Sequence, residues 1–260
     1  MTRALVIGGA GFIGTAACKE LMRRGVETIA AGRKDRPYGT FTSYVAFDCT
    51  DATQVKRTVE STQPDVVLDL AGGHLDVAVE RYVLVSCAPV ALPEGTVVRA
   101  PAVFGAADPS LRIVAYIQRV ADGGPVLVPE ETYETPLGLA WNKDVGYACA
   151  LACDLRKDTR GRSYDVSFES LSIRDLVEGI ARALGVQARL HPIAAAEMPD
   201  GASPYAPAPH SVDTARKDLG FEPSALEDAL AETLAWYRVA RPSHSGYANR
   251  AAELSLAGGG

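Results

Sequence analysis

Seven residues near the start of the chain, Gly8-Gly9-Ala10-Gly11-Phe12-Ile13-Gly14, carry the spacing most suggestive of chemistry. The pattern GxxGxxG follows a short apolar run at residues 4–7 and opens a helix-forming one at 15–24. In that context each glycine has a reason. Gly8 permits the tight turn, Gly11 lets backbone approach a pyrophosphate, and Gly14 lets a helix pack closely on the strand. The helix start would offer free N–H groups and a partial positive charge to the phosphates. A structural glycine turn with no ligand is the plainer alternative, and Phe12-Ile13 with the strand context weigh against it.

The end of the second strand discriminates between dinucleotides. A carboxylate there would hold a ribose 2′-OH. Here the segment is Ala31-Gly32-Arg33-Lys34, with the first carboxylate only at Asp35. Two cations suit a 2′-phosphate, so the expected cofactor is NADP (NADPH), unless Arg33 and Lys34 are a solvated loop pair. Asp48, after the third strand, is a candidate adenine contact or a turn cap beside Thr50 and Asp51.

Other chemistries find less support. Lys plus Arg number 26 against 32 Asp plus Glu, a net charge of −6, which argues against nucleic acid or an anionic membrane as partner. No apolar run reaches the roughly 18 residues of a membrane span, and the apolar start is too short and glycine-broken for a signal peptide. The cysteines are Cys18, Cys49, Cys87, Cys149 and Cys153, an odd number without a CxxC. Cys149 and Cys153 share a helix face as small hydrophobes, and no nearby Cys or His completes a metal set. Free thiols fit a reducing cytoplasm.

The elements that would position these residues alternate. Strand signals fall at residues 4–7, 26–31, 43–47, 65–70, 82–86 and 96–99, with helices at 15–24 and 52–61, the latter capped by Asp51. Near-continuous apolar strands between helices mean a parallel sheet covered by helices. Further on, helices are expected at 111–120, 144–155, 170–184 (capped by Ser170 or Ser172) and 225–239 (capped by Ser224). Short strands fall at 126–128 and 164–168. Residues 195–211 are rich in Ala and Pro without a regular pattern, and 241–260 read as a frayed, flexible tail.

The chain resembles an extended short-chain dehydrogenase/reductase of the sugar-nucleotide epimerase/dehydratase type, over roughly residues 3–240. The resemblance rests on GGAGFIG at 8–14, DVVLDLAGG at 65–73, VLVSC at 83–87 and VVRAPAVFG at 97–105. WNKDVGYACALA at 141–152, SIRDLVEGIARALG at 172–185 and VDTARKDLGFEP at 212–223 extend it. It implies an α/β fold: a Rossmann-like, doubly wound parallel sheet with a small C-terminal α/β substrate lobe. The dinucleotide domain would span 1–106, completed by about 136–168, and the lobe 107–135 and 169–240. The resemblance also implies that Leu70, Ala71 and Gly72 line the cofactor, that Pro101 and Val103 lie behind the nicotinamide, and that Ser86 holds the family's catalytic Ser/Thr position.

One departure from the family matters more than these matches. The family's catalytic Tyr-x-x-x-Lys is missing, since none of the ten tyrosines has Lys four residues later. The stretch between Ser86 and Thr96 is too short and too proline-broken, at Pro89 and Pro93, for the helix that would carry it. The link from Leu70 to Tyr82 is short too, with room for about two helical turns. One sheet face therefore needs another cover: the C-terminal lobe, a bulky apolar substrate or a partner chain. The helices the family uses to dimerise are lost with it, which points to a monomer or to a dimer of another kind.

Hydride transfer needs position and dryness, whereas the proton that the family's Tyr supplies needs a new source. His74 and Ser86, with neighbouring Cys87, are the nearest side chains by motif; a water or a phenol on the substrate are the others. Trp141 and Asn142 either line a pocket or belong to the core. The chain also resembles, less specifically, the tyrosine-lacking reductases that tailor angucyclinones, of the simocyclinone kind. The expected activity is NADPH-dependent reduction of a carbonyl on a bulky aromatic small molecule. A catalytically inactive NADP-binding sensor or scaffold, and a sugar-nucleotide epimerase or reductase, are the alternatives.

Overall fold

The computed structural model describes residues 1–258 apart from His74 and Pro209. The chain divides into two compact units. The first comprises Met1–Pro101, Asn142–Ser167 and His210–Pro223; the second, Ala102–Trp141, Phe168–Pro209 and Ser224–Gly260.

The first unit is a Rossmann-like α/β fold. It contains β1 (Arg3–Ile7), α1 (Gly14–Arg23), β2 (Glu27–Gly32), β3 (Ser43–Ala46), α2 (Ala52–Thr62), β4 (Val66–Asp69), β5 (Arg81–Ser86) and β6 (Thr96–Arg99). The second unit's β7 (Ala102–Phe104), α3 (Arg112–Ala121), β8 (Val126–Pro129) and β9 (Leu139–Trp141) come next in the chain. The first unit resumes with α4 (Asn142–Ala152) and β10 (Ser163–Asp165). Its seven strands pair in parallel in the order β3-β2-β1-β4-β5-β6-β10.

Strand order places the helices. From β1 the chain moves outward through β2 to β3, then returns across the sheet to β4. Right-handed crossovers in opposite directions put α1 and α2 on opposite faces. α1 packs on α4, and the contact is close enough that a Cβ at Gly146 would lie 2.7 Å from the Ala17 nitrogen. On the other face Val55 of α2 joins Leu5, Ile7, Ile29, Phe47, Val67, Tyr82 and Leu84 in one core.

That second face lacks two helices among the described residues: no helix lies between β4 and β5 or between β5 and β6. Leu75, Val77 and Val79, with Val90 and Leu92, pack on the exposed sheet core. Residues 75–80 alternate, with these apolar side chains half-buried and Asp76, Ala78 and Glu80 exposed, the period of an extended strand rather than a helix. Within this unit the cover expected from a lobe, substrate or partner is therefore partly supplied by the two shortened linkers.

The second unit continues with α5 (Ile173–Leu184), β11 (Leu190–Ile193), then α7 (Leu226–Ala240) and α8 (Arg250–Gly258); α6 (Asp213–Leu219) belongs to the first. β8 pairs with β11 and β7 with β9, both in parallel. Ile113, Ile117, Leu176, Ile180 and Leu230 form the centre of its core. Ser172 is the residue that caps α5, in a reciprocal capping box with Asp175. Ala225, not Ser224, is the N-cap residue of α7, with no side-chain cap bond. Residues 195–208 are not loose: Tyr205 is buried, stacks on Tyr116, and Pro207 bridges Leu137.

The chain's end corrects an expectation. Residues 245–258 form a 3-10 turn, Ser245–Asn249, and α8 instead of a flexible tail. Charged side chains hold it. Glu253 and Arg119 are both fully buried, with two hydrogen bonds of 2.8 and 2.5 Å between them, and Arg250 forks onto Asp122 at 2.7 Å. Polar residues at a chain end read as solvated; here they are paired inside.

Candidate functional site

The glycine turn is built by steric necessity. Gly8 has φ of +80°, a left-handed conformation that favours glycine. A Cβ at Gly11 would lie 2.9 Å from the Gly8 carbonyl oxygen, and one at Gly14 only 2.1 Å from the same atom. α1 begins at Gly14 with Ile13 as N-cap and no side-chain cap bond; the Thr15 and Ala16 N–H groups donate to the Gly11 and Ile13 carbonyls at 3.0 and 3.1 Å, so what the helix start offers an anion is its dipole rather than a row of free donors. Asn142, at the start of α4, donates to the Phe12 carbonyl at 3.1 Å and steadies the turn. Leu70 lies against it: its N–H donates to the Ile7 carbonyl at 3.1 Å, and its Cβ is 3.3 Å from where a Cβ on Gly8 would stand.

Ala71 and Gly72 follow, both exposed, and both N–H groups bond the Asp69 carboxylate. At the end of β2, the Lys34 ammonium donates to the Ala10 carbonyl at 2.5 Å and lies 4.3 Å from the Tyr38 ring centroid. The Lys34 N–H is held by the Tyr44 hydroxyl at 2.9 Å. A cation is thus fixed at the middle of the glycine turn. Arg33 is exposed, and its charge acts on Asp48. The Asp48 carboxylate accepts from the Thr50 N–H and hydroxyl, bonds that, with a smaller contribution from Arg33, hold its pKa below the ordinary range. Asp48 is therefore seen as a turn cap.

The structure thus brings Gly8, Gly11, Phe12, Ile13, Gly14, Lys34, Leu70, Ala71 and Gly72 to the C-terminal ends of β1, β2 and β4. Such a turn, an uncapped helix start and a fixed ammonium fit a dinucleotide's phosphates. Pro101 ends the first unit, half-buried, whereas Val103 is in β7 of the second, paired in register with Ala140.

The two proposed catalytic side chains fare differently. Ser86 ends β5 beside Arg99 in register, and its hydroxyl closes a local turn: it donates to the Ala88 carbonyl at 2.8 Å and accepts the Ala88 N–H at 3.2 Å. His74 lies outside the described residues. Trp141 and Asn142 are buried. Cys18 and Cys153 are buried hydrophobes whose thiols burial pushes up to about 12.

Sequence reasoning missed Asp69, a fully buried carboxylate at the end of β4 that receives the Tyr82 hydroxyl at 2.7 Å. An Asp closing an otherwise apolar strand was the available signal. It also missed the ion pair of Arg99 with Asp165, residues in register on adjacent β6 and β10.

Residues 4–94 match the sequence model of the NAD dependent epimerase/dehydratase family. That segment holds the glycine turn, Lys34 and the Leu70–Gly72 turn. Solved structures share the fold. UDP-glucose 4-epimerase from Thermotoga maritima, solved with UDP-glucose, is 15% identical with a TM-score of 0.67, over 93% of this chain and 100% of that one. The Bordetella bronchiseptica enzyme WbmH, solved with NAD+, is 16% identical at 0.67, over 92% and 98%. UDP-glucuronic acid 4-epimerase from Bacillus cereus, solved with UDP-glucuronic acid and NAD, is 15% identical at 0.68, over 92% and 100%. No curated protein sequence matches the chain.

Proposed function

We propose that this protein is an NADPH-dependent ketoreductase, an atypical extended short-chain dehydrogenase/reductase that works on a bulky aromatic small molecule without a catalytic tyrosine. The observation that carries the cofactor reading is the Lys34 ammonium at the Ala10 carbonyl, with Arg33 adjacent and no carboxylate at the end of β2. The glycine turn and the α1 start would hold the pyrophosphate, Lys34 and Arg33 the 2′-phosphate, and Leu70 to Gly72 the face of the cofactor. When bound, the nicotinamide supplies a hydride.

The chain itself offers no tyrosine with lysine four residues on, and Ser86 is committed to its own turn. The proton for the carbonyl oxygen is read as coming from the substrate or from water, with His74 as the side-chain alternative. A phenol beside the ketone would hydrogen-bond the carbonyl, polarise it, and pass its proton as the carbon accepts hydride, leaving a phenolate; a water is the other source. The protein's part is to orient the ketone and exclude bulk water. The assay is NADPH oxidation with aromatic ketones bearing an adjacent phenol, against the same compounds O-methylated. Turnover of the phenols alone supports the reading. No oxidation with any ketone or quinone, despite NADPH binding, overturns it.

A sugar-nucleotide epimerase is the second reading, favoured by the names of the solved structures that share the fold. The missing Tyr-x-x-x-Lys weighs against it, and incubation with UDP-glucose or UDP-glucuronic acid tests it directly.

A further inference from the structure

The dinucleotide turn accounts for neither Asp69 nor Tyr82, yet the two are built into the fold with unusual care. Asp69 closes β4 and is 0% exposed; Tyr82, in β5, is 7% exposed. A carboxylate taken out of water is costly unless its lone pairs are met. Here Oδ1 accepts the N–H of Ala71 at 2.8 Å and that of Gly72 at 3.2 Å, and Oδ2 accepts the Tyr82 hydroxyl at 2.7 Å. The Tyr82 oxygen accepts in turn the N–H of Leu75 at 2.9 Å. One carboxylate and one phenol therefore take up three backbone donors between residues 71 and 75.

Those donors need partners because of the chain's own departure from its fold. No helix follows β4 among the described residues, so no helical ladder takes up the N–H groups after residue 70. Two exposed glycines sit in the turn, Gly72 at φ of +73°, and glycine loses the most freedom on being ordered. Left untethered, this turn would sample many conformations beside the glycine turn that Leu70 touches. Burial and the adjacent Asp69 raise the Tyr82 phenol far above its ordinary range, which keeps it a donor at any working pH.

We propose that Asp69 and Tyr82 are positioning residues for the dinucleotide: without touching it, they lock the Leu70–Gly72 turn in the conformation that receives it, replacing the order a helix in this crossover would supply. The inference rests on the dinucleotide-binding reading above. It implies that losing the Tyr82 hydroxyl weakens cofactor binding as well as the fold, since it frees the turn and leaves Oδ2 of the buried Asp69 without its donor, and that an acceptor kept at position 69 preserves part of the binding.

The test uses the full chain and two readouts: NADPH dissociation constants by fluorescence titration, and hydrogen exchange of the amides at 70–76 in the free protein. Tyr82→Phe is expected to speed exchange at Leu75 and raise the NADPH dissociation constant five- to twentyfold, with a moderate fall in thermal midpoint from the unmet Asp69 oxygen. Asp69→Asn, which keeps an acceptor for Ala71 and Gly72, is expected to bind better than Asp69→Ala. If wild type binds NADPH and Tyr82→Phe binds equally with unchanged exchange, the positioning role is overturned while the dinucleotide reading stands. If affinity and thermal midpoint fall together and Asp69→Asn rescues nothing, the pair is merely structural and the proposal fails. If wild type binds neither NADPH nor NADH, the dinucleotide reading fails and this inference with it.

Discussion

On the proposed reading, Lys34 is the residue on which cofactor choice turns. Its ammonium reaches the Ala10 carbonyl and lies over Tyr38, so it is already placed before any phosphate arrives. A hydrogen bond to a charged group contributes about 1.5–3 kcal/mol, which corresponds to about ten- to a hundredfold in affinity. Lys34→Ala should weaken NADPH binding by about that factor and leave NADH within about twofold, read by titration of both; equal losses for the two would place Lys34 elsewhere than at a 2′-phosphate. Asp48 shows the limit of such reasoning. Its position suits adenine, and its Oδ1 also caps the turn at Thr50, which the sequence showed only as an alternative. A short polar side chain next to its own backbone finds local donors first.

At the scale of elements, two glycines carry the geometry. Gly14 starts α1 against the Gly8–Gly9 turn, where an added Cβ would meet Gly8 oxygen at 2.1 Å and Gly9 Cα at 2.7 Å. Both are backbone atoms with nowhere to move. Gly14→Ala should therefore abolish measurable dinucleotide binding and cost stability on the order of 1–3 kcal/mol, read by urea unfolding. Gly146 does the same for the α1–α4 packing, and neither its spacing nor its sequence neighbours announce it. The cap of α5 is a gentler case: Ser172→Ala breaks the capping box with Asp175 and should cost about 1 kcal/mol, whereas Ser170→Ala should cost far less.

At the scale of the molecule, the C-terminal segment belongs to the fold of the second unit. Glu253→Ala leaves the fully buried Arg119 without its carboxylate and should destabilise by about 3–5 kcal/mol, read as loss of the thermal midpoint. An unchanged midpoint would mean that α8 is undocked in solution. His244 adds a pH dependence. Its Nδ1 accepts the Gly246 N–H at 3.1 Å, so the bond requires the neutral ring, and burial and then the Arg119 charge lower its pKa. The unfolded state therefore takes up a proton more readily. Stability should fall as pH drops through the ordinary histidine range near about 6.5 and level off below the lowered native value. His244→Asn keeps an acceptor without titrating and should flatten that part of the stability–pH curve. The described residues include no helix long and apolar enough to cross a membrane.

What the sequence determined by itself was local or periodic. The glycine turn, the apolar strands and the Asp51 cap are set by conformational freedom and by burial patterns that repeat within a few residues. That no tyrosine is followed by lysine four residues on was equally plain, because a sequence motif is read without the fold. Only the tertiary structure decided the rest. The burial of Asp69, the pairing of Arg119 with Glu253 across 134 positions, and the cover that Leu75, Val77 and Val79 give the bare sheet face depend on residues far apart in the chain. A charged side chain looks solvated in sequence until its partner is known, since the cost of burying it and the gain of pairing it are both set by what the fold places beside it.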